Sequence, residues 1–240
     1  MRVTVELAPP APRNAGRPGP EPAASRASDR GAAVMIDVLR STTTLTVALD
    51  RGARAVVALA DPAEALALRA RDPDVLACGE REGRAVPGFD LGNSPFEYQA
   101  ERVAGRTLAF ASTNGSPALR ALEGYAARFL AAFVNASAVV EALAGRAVVH
   151  ILCAGKLGRF ALEDAACAGW LCQRLADRGA ALEGEGARLC RALAPRDAAE
   201  VRALVQGCSH GRYLRALGAG FARDVEFCGA LDALPRAFAI

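Results

Sequence analysis

The 240-residue sequence contains a single lysine, Lys156, although lysine and arginine together number 29. Nearly all of its positive charge is therefore arginine. That bias accompanies a large excess of alanine and reads as genomic rather than functional. The net charge is only +3, and the basic residues are scattered. No basic stripe for nucleic acid and no polybasic membrane patch results, so any strong anion binding must be local. No C-x-x-C pair occurs among the seven cysteines, at 78, 153, 167, 172, 190, 208 and 228. An odd count without such pairs argues against a zinc ribbon or a disulfide scaffold and for reduced thiols in the cytoplasm. No apolar run reaches the length of a membrane span. The first residues, Met1 to Leu7, lack the apolar core of a signal peptide. No G-x-G-x-x-G follows a strand-like segment, which disfavours a dinucleotide-binding oxidoreductase.

The remaining pattern is an alternation of short apolar runs and helical segments. Strands are expected over 3–7, 33–38, 56–59, 75–78, 107–111, 129–133 and 147–153. Helices are expected over 42–51, 62–71, from Ser116-Pro117, over 136–144 behind an Asn135 cap, and over 161–178, followed by a mainly helical tail. Ser94-Pro95-Phe96-Glu97 has the form of a capping box opening one more helix. Such alternation predicts an α/β fold with a layered, mixed or largely parallel sheet flanked by helices. No clean linker interrupts it, so one compact body over 1–240 is expected. Residues 8–31, rich in proline and alanine, read as a flexible insertion. A strand–loop–helix echo between 34–53 and 148–180 leaves open two similar, intertwined halves.

Polar residues gather where the strands end, which is where open α/β sheets collect ligands. Asp37-Val38-Leu39-Arg40-Ser41 offers a carboxylate for a magnesium ion or for attack on phosphorus, with Arg40 and hydroxyls for anionic oxygens. The position two residues after Asp37 is Leu39, not the second aspartate that a haloacid-dehalogenase-like site needs. Gly79-Glu80-Arg81, the turn-rich 88–95 segment with Asn93, and Thr113-Asn114-Gly115 before a helix are further anion-binding candidates. The sharpest local pattern is Cys153-Ala154-Gly155-Lys156-Leu157-Gly158-Arg159. A cysteine at a strand end with an arginine six residues on matches the spacing of a tyrosine-phosphatase-type loop, in which backbone N–H groups ring a phosphate and a thiolate attacks. A buried cysteine beside an ordinary loop is the competing explanation. Glu163 and Asp164 open the next helix, and acidic residues there are also common partners of the helix dipole. His210 can act as an acid or serve the fold.

Together these loops strongly resemble the 2-phosphosulfolactate phosphatases. The resemblance rests on Asp37-Val-Leu-Arg40, Gly79-Glu-Arg81, Gly88-Phe-Asp-Leu-Gly-Asn-Ser-Pro95, Thr113-Asn-Gly115, Asn135-Ala-Ser137, Cys153-Ala-Gly155, Gly158-Arg-Phe160, Leu162-Glu-Asp164, Cys167-Ala-Gly169 and His210-Gly211 in order. It implies a compact α/β enzyme: a magnesium-dependent acid phosphatase that hydrolyses 2-phosphosulfolactate to sulfolactate and phosphate in coenzyme M biosynthesis. The 8–31 segment stands as an insertion, Lys156 where a small hydroxyl residue is expected, and Ala161 where serine is expected.

On that reading Asp37, Glu80 and Asp164 are the candidate Mg2+ ligands, with Glu163 and Asp90 as substitutes. Asp37, Cys153 and Glu163 are the candidate catalytic groups. Arg40, Arg81, Asn93, Thr113, Asn114, Gly115, Lys156, Gly158 and Arg159 are the candidate substrate-binding residues. Direct attack by water is favoured over a phosphocysteine, because cysteine phosphatases need no metal. The expected partner is a small anionic phosphate ester, with no nucleic acid and no membrane; a homo-oligomer is left open. A phosphatase for another phosphorylated hydroxy acid and a non-enzymatic anion sensor on the same fold are the alternatives.

Overall fold

The computed structural model describes residues 1–9 and 31–240; most of the expected 8–31 insertion lies outside them. Two sheets carry the architecture. The six-stranded sheet runs β10-β7-β2-β8-β1-β9 and the four-stranded sheet runs β3-β6-β4-β5. In the first, β1 (Arg2–Glu6), β2 (Ala32–Ile36), β7 (Ala127–Ala131), β8 (Val148–Cys153) and β9 (Ala181–Glu183) are parallel, and only β10 (Phe238–Ala239) runs against them. In the second, β3 (Ala55–Ala58), β4 (Val75–Arg81) and β6 (Thr107–Ala111) are parallel, with β5 (Arg84–Ala85) closing a hairpin on β4. The α/β expectation is met. The segments of the sequence echo form β2 with α1 (Ser41–Asp50) and β8 with α6 (Leu162–Asp177), and their strands are direct neighbours.

Strand alternation decides which side chain enters which core. On β2, Val34 and Ile36 join one apolar cluster, with Val149, Ile151 and Cys153 of β8 and the inner side of α6. Ala33 and Met35 join a second cluster that fills the space between the sheets with Leu45, Leu108, Phe110 and Ala118. Helices α1 and α4 (Gly115–Ala121) contribute to that inter-sheet layer. The outer side of the four-stranded sheet, Val75, Ala77 and Ala109, packs on Ala65 of α2 (Pro62–Arg71). The tail forms α7 (Gly184–Ala192), α8 (Ala198–Gly207), α9 (Ser209–Ala216) and α10 (Ala219–Cys228). It is mainly helical, as expected, although the short β9 and β10 also form after β8.

Two local expectations need correction. Ser94-Pro95-Phe96-Glu97 starts only a 3-10 turn over Pro95–Glu97, and the first helix after it is the single turn α3 (Ala100–Val103). Ser94 Oγ accepts from the Phe96 N–H, but Glu97 turns away to accept from the Gly92 N–H at 2.7 Å. The reciprocal half of the capping box is therefore missing. Asn135 stands before α5 (Ala136–Ala142) without capping it by its side chain. Its Oδ1 accepts from the Ala132 N–H and its amide donates to the Leu130 carbonyl, closing the end of β7 instead.

The carboxyl ends of β2, β8, β4 and β6 are held by short polar straps. Thr42, Thr43 and Thr44 are indifferent helix formers, yet they open α1 because their hydroxyls have other work. Thr42 Oγ1 donates to the Asp37 carbonyl, Thr43 Oγ1 to Val38, and Thr44 Oγ1 to Asn93. Gly79 has φ +135, and a Cβ there would sit 2.0 Å from the Ala111 carbonyl oxygen. A glycine lets β4 close on β6 at the point where Glu80 begins. Ser112 and Ser116 cap each other's backbone N–H across the turn into α4.

Candidate active site

A cavity of about 600 Å³ opens where the two sheets present their carboxyl ends. Asp37, Leu39, Arg40 and Ser41 come from the loop after β2; Glu80, Arg81, Glu82 and Gly83 from the end of β4; Thr113 and Asn114 from the loop after β6. Asn93, Lys156 and Leu157 close the sides, and α9 supplies His210, Tyr213 and Leu214. Of the predicted site residues, Asp37, Arg40, Glu80, Arg81, Asn93, Thr113, Asn114 and Lys156 all meet here. Gly115 lies just behind: a Cβ on it would approach Ser41 Oγ to 2.5 Å and Asp37 Oδ2 to 2.9 Å. Only glycine lets α4 begin this close to the aspartate.

Asp37 is buried, and burial pushes its carboxyl up to about 6; the neighbouring Glu80 charge adds to this, while hydrogen bonds from Ser41 and the charge of His210 oppose it. Glu80 is fixed by two backbone donors, Thr113 N–H to Oε1 at 2.7 Å and Gly83 N–H to Oε2 at 2.8 Å. The arginines are committed as well. Arg40, 4% exposed, donates to Asp224 Oδ2 and to the Gly83 carbonyl, each at 2.5 Å. Arg81 donates to the carbonyls of Glu80, Ala111 and Ala60, tying together the ends of β4, β6 and β3. Lys156 is different: its Nζ lies 4.5 Å from the centre of the Tyr213 ring and has no carboxylate partner among the described residues. Two buried polar atoms in the lining, Asn93 Oδ1 and Thr113 Oγ1, have no hydrogen-bond partner. Buried polar atoms are normally satisfied; of the unpartnered ones among the described residues, these two belong to residues that line the cavity.

The loop after β8 does not form the expected phosphate cradle. Lys156 and Arg159 pair across a tight turn, N–H to carbonyl in both directions, with Leu157 and Gly158 at positive φ. The Ala154 N–H goes to Ile36, the Gly155 N–H to Asp164, and the Leu157 N–H to Asn114 Oδ1. Backbone donors committed in this way cannot ring a phosphate. Gly158 and Arg159 are exposed and outside the cavity.

Cys153 is also outside it. Its parity on β8 matches Val149 and Ile151, which turns it into the core beneath α6. Its thiol is pushed up, by a hydrogen bond involving Cys190, by burial and by the Asp164 charge. A thiol so placed is no nucleophile. We predict that Cys153→Ala keeps kcat within about threefold of wild type, as expected for a residue without a chemical role, and costs stability by about 1 kcal/mol; steady-state phosphate release and thermal unfolding measure the two.

Asp164 does not line the cavity; it is buried just behind Asp37, accepting from the Val38 N–H at 2.9 Å and the Gly155 N–H at 3.0 Å. Asp90, a substitute ligand, is taken by the Ala77 N–H and Arg69. Glu163 does not line the cavity but bonds to His210, which does. The lining residues that the sequence pattern did not single out as site residues, Leu39, Ser41, Glu82, Gly83, Leu157, Tyr213 and Leu214, lie in or next to the strand-end motifs or about one turn along α9 from His210. Periodicity was the available signal for the last two.

Among the described residues no group of three or more His, Cys, Asp or Glu side chains converges to hold a metal. The described residues therefore form no three-carboxylate cage. Asp37 and Glu80 nevertheless face one cavity, and neither has an ion-pair partner among the described residues. Magnesium is commonly held by one or two carboxylates, with waters and substrate phosphate completing the shell. The Asp37–Glu80 pair fits that mode.

A small concave site at strand ends, with an acidic pair, one uncommitted lysine and unsatisfied polar atoms, defines an α/β enzyme for a compact anion. The chain belongs to the 2-phosphosulpholactate phosphatase family, whose model matches residues 20–237. It is 39% identical over 200 residues to a protein named probable 2-phosphosulfolactate phosphatase from Thermotoga petrophila, covering 83% of this chain and 85% of the relative. Relatives with the same name in Synechococcus sp. (strain JA-3-3Ab) and Pseudothermotoga lettingae are 41% and 36% identical, over 84% and 89% of this chain and 85% and 89% of their own.

Proposed function

We propose that this chain hydrolyses 2-phosphosulfolactate to sulfolactate and phosphate with the help of Mg2+. The observation that carries this is the convergence, in one 600 Å³ cavity, of the Asp37–Glu80 pair, Lys156 and the unpartnered Asn93 and Thr113 atoms. The volume suits a three-carbon triply anionic ester. Family membership and the names of the relatives support the substrate class. Asp37 and Glu80 would hold the magnesium ion, which supplies charge neutralisation at the phosphoryl oxygens when bound.

The chain's own residues then have distinct tasks. The Thr113 hydroxyl donates to a polar oxygen of the substrate, and Asn93 Oδ1, an acceptor, takes a hydrogen from a water beside it. Lys156 supplies the mobile positive charge that Arg40 and Arg81, already engaged, cannot fully redirect. The aryl face of Tyr213 keeps the ammonium over the cavity without neutralising it. Gly115 leaves Asp37 room to face the ligand. The seven free, buried cysteines fit a reducing cytoplasm, and the implied route is coenzyme M biosynthesis. No described helix is long and apolar enough to cross a membrane.

Phosphate release from 2-phosphosulfolactate and from other phosphorylated 2-hydroxy acids, with magnesium and with chelator, tests the proposal. We expect turnover that requires magnesium and is highest for the sulfonate-bearing ester. Faster turnover of a carboxylate-only ester would reassign the substrate. No release from any ester would overturn the reading.

A further inference from the structure

We propose that His210, oriented by Glu163, is the catalytic acid that protonates the departing ester oxygen. This rests on the phosphatase reading above and adds a reacting group to it.

The geometry comes first. His210 lies in the first turn of α9 and lines the cavity that holds Asp37 and Glu80. Its Nδ1 is 2.9 Å from Glu163 Oε1. The Glu163 side chain is 2% exposed and that of His210 13%. The contact joins α6 to α9 across the back of the site. Glu163 is the more deeply buried partner, yet its carboxyl is held below the ordinary glutamate value. Burial is the largest single influence and acts to raise it; the hydrogen bond and charge of His210, together with hydrogen bonds from the Glu163 backbone and Cys208, outweigh that burial. An ionised carboxylate can only accept, so Nδ1 bears the proton in this pair. Nε2 makes no hydrogen bond to a described residue and is left for the ligand.

The mounting of the ring is rigid. Cys208 Sγ caps α9 by accepting from the Gly211 N–H at 3.2 Å. A Cβ on Gly211 would stand 2.0 Å from the Val205 carbonyl oxygen, so α9 seats against the end of α8 only because residue 211 has no side chain. The His210-Gly211 pair is thereby explained: the glycine fixes the helix and the helix aims the imidazole. An imidazole with one nitrogen on a buried carboxylate and the other on the substrate is a proton-transfer arrangement. Glu163 and Asp37 act on the ring electrostatically, and Arg40, Glu80, Arg81, Glu82 and Lys156 line the same cavity.

The chemistry requires such a group. The leaving oxygen belongs to an aliphatic alcohol, which departs poorly as an alkoxide. As water adds to phosphorus, the bond from phosphorus to the ester oxygen breaks and its electron pair goes to that oxygen. Nε2 of the imidazolium delivers its proton there, releasing the alcohol. One proton of the attacking water stays on the phosphate as P–OH. The other passes to solvent, and solvent reprotonates Nε2.

The test is leaving-group dependence in the full-length protein with magnesium. Wild type, His210→Gln and Glu163→Gln are compared on 2-phosphosulfolactate and on acetyl phosphate, whose carboxylate leaving group needs no proton. We expect His210→Gln to lower kcat on the alkyl ester by about 10²-fold or more with KM little changed, and to lower turnover of acetyl phosphate by no more than about threefold. Glu163→Gln, a positioning change, should lose roughly tenfold on the alkyl ester alone. Thermal unfolding confirms that each variant folds. Equal losses on both esters, or a loss confined to KM, would overturn the assignment. If acetyl phosphate is not a substrate, the kcat-against-KM split on the alkyl ester decides by itself. Absence of wild-type turnover on both esters refutes the phosphatase reading and the acid role with it, whereas an active wild type with an unchanged His210→Gln kcat refutes the acid role alone.

Discussion

Asp37→Asn is expected to abolish turnover while making the metal-free protein more stable. The loss of activity, on the order of 10³-fold or more, follows if Asp37 is one of the two carboxylates to which the proposed function assigns the magnesium ion. The stability gain follows from burial. In the metal-free fold the Asp37 carboxyl is raised from 3.8 to about 6, chiefly by desolvation. A carboxyl raised on folding favours its neutral form in the native state. Its contribution is fully present below the unfolded value and is lost as pH rises through about 6. In chelator, wild type should therefore fall below Asp37→Asn in thermal stability as pH is raised through that window. The difference at neutral pH should be on the order of 2 kcal/mol. Adding magnesium should raise the melting temperature of wild type and leave the variant unmoved. A variant less stable than wild type at neutral pH in chelator would contradict the electrostatic argument.

Asp164→Ala should produce the largest loss of stability of any single change near the site, roughly 3–5 kcal/mol, without the selective loss of magnesium binding that a ligand would show. Asp164 accepts from Val38 and Gly155, one residue beyond Asp37 on the β2 side and two beyond Cys153 on the β8 side. Its removal orphans both buried N–H groups and unties neighbouring strand ends at once. Burial raises the Asp164 carboxyl well above the ordinary range, reinforced by the Glu163 and Asp37 charges and opposed by the two backbone donors. Denaturant unfolding measures the cost. Magnesium affinity, measured by calorimetry under conditions where the variant remains folded, should stay within about threefold of wild type. Normal stability with lost magnesium binding would restore Asp164 as a ligand.

Much of the fold was legible because β-α alternation leaves a strong periodic signal. β6 and α2 emerge with the boundaries expected, and β4 merely runs on through Glu80 and Arg81. The strand-end loops were legible as a set for the same reason: a parallel sheet brings its carboxyl ends together whatever the loop sequences. What failed was the direction of individual side chains. Cys153 was read from its distance to Arg159 along the chain. Yet β2 and β8 pair with Ile36 opposite Cys153, and Ile36 belongs to the same core. Parity along β8 would have placed that cysteine in the interior. Asp164 lies outside the cavity lining for another reason. A carboxylate at a helix start has several employers, and nothing in a linear sequence says that two backbone N–H groups from distant loops will claim it. The 94–97 segment failed because Glu97 found a better donor in Gly92.

The acidic pair is split between the two sheets. Asp37 follows β2 of the six-stranded sheet and Glu80 ends β4 of the four-stranded one, and the Leu157 N–H to Asn114 bond at 2.8 Å spans the same divide at the rim. Residues 55–111, carrying the whole smaller sheet, enter as one continuous excursion between β2 and β7. Anything that grips both carboxylates therefore acts as a rivet across a seam. Catalytic alignment and mechanical stiffness become one property here, since sliding one sheet against the other by a fraction of an ångström would spoil both together.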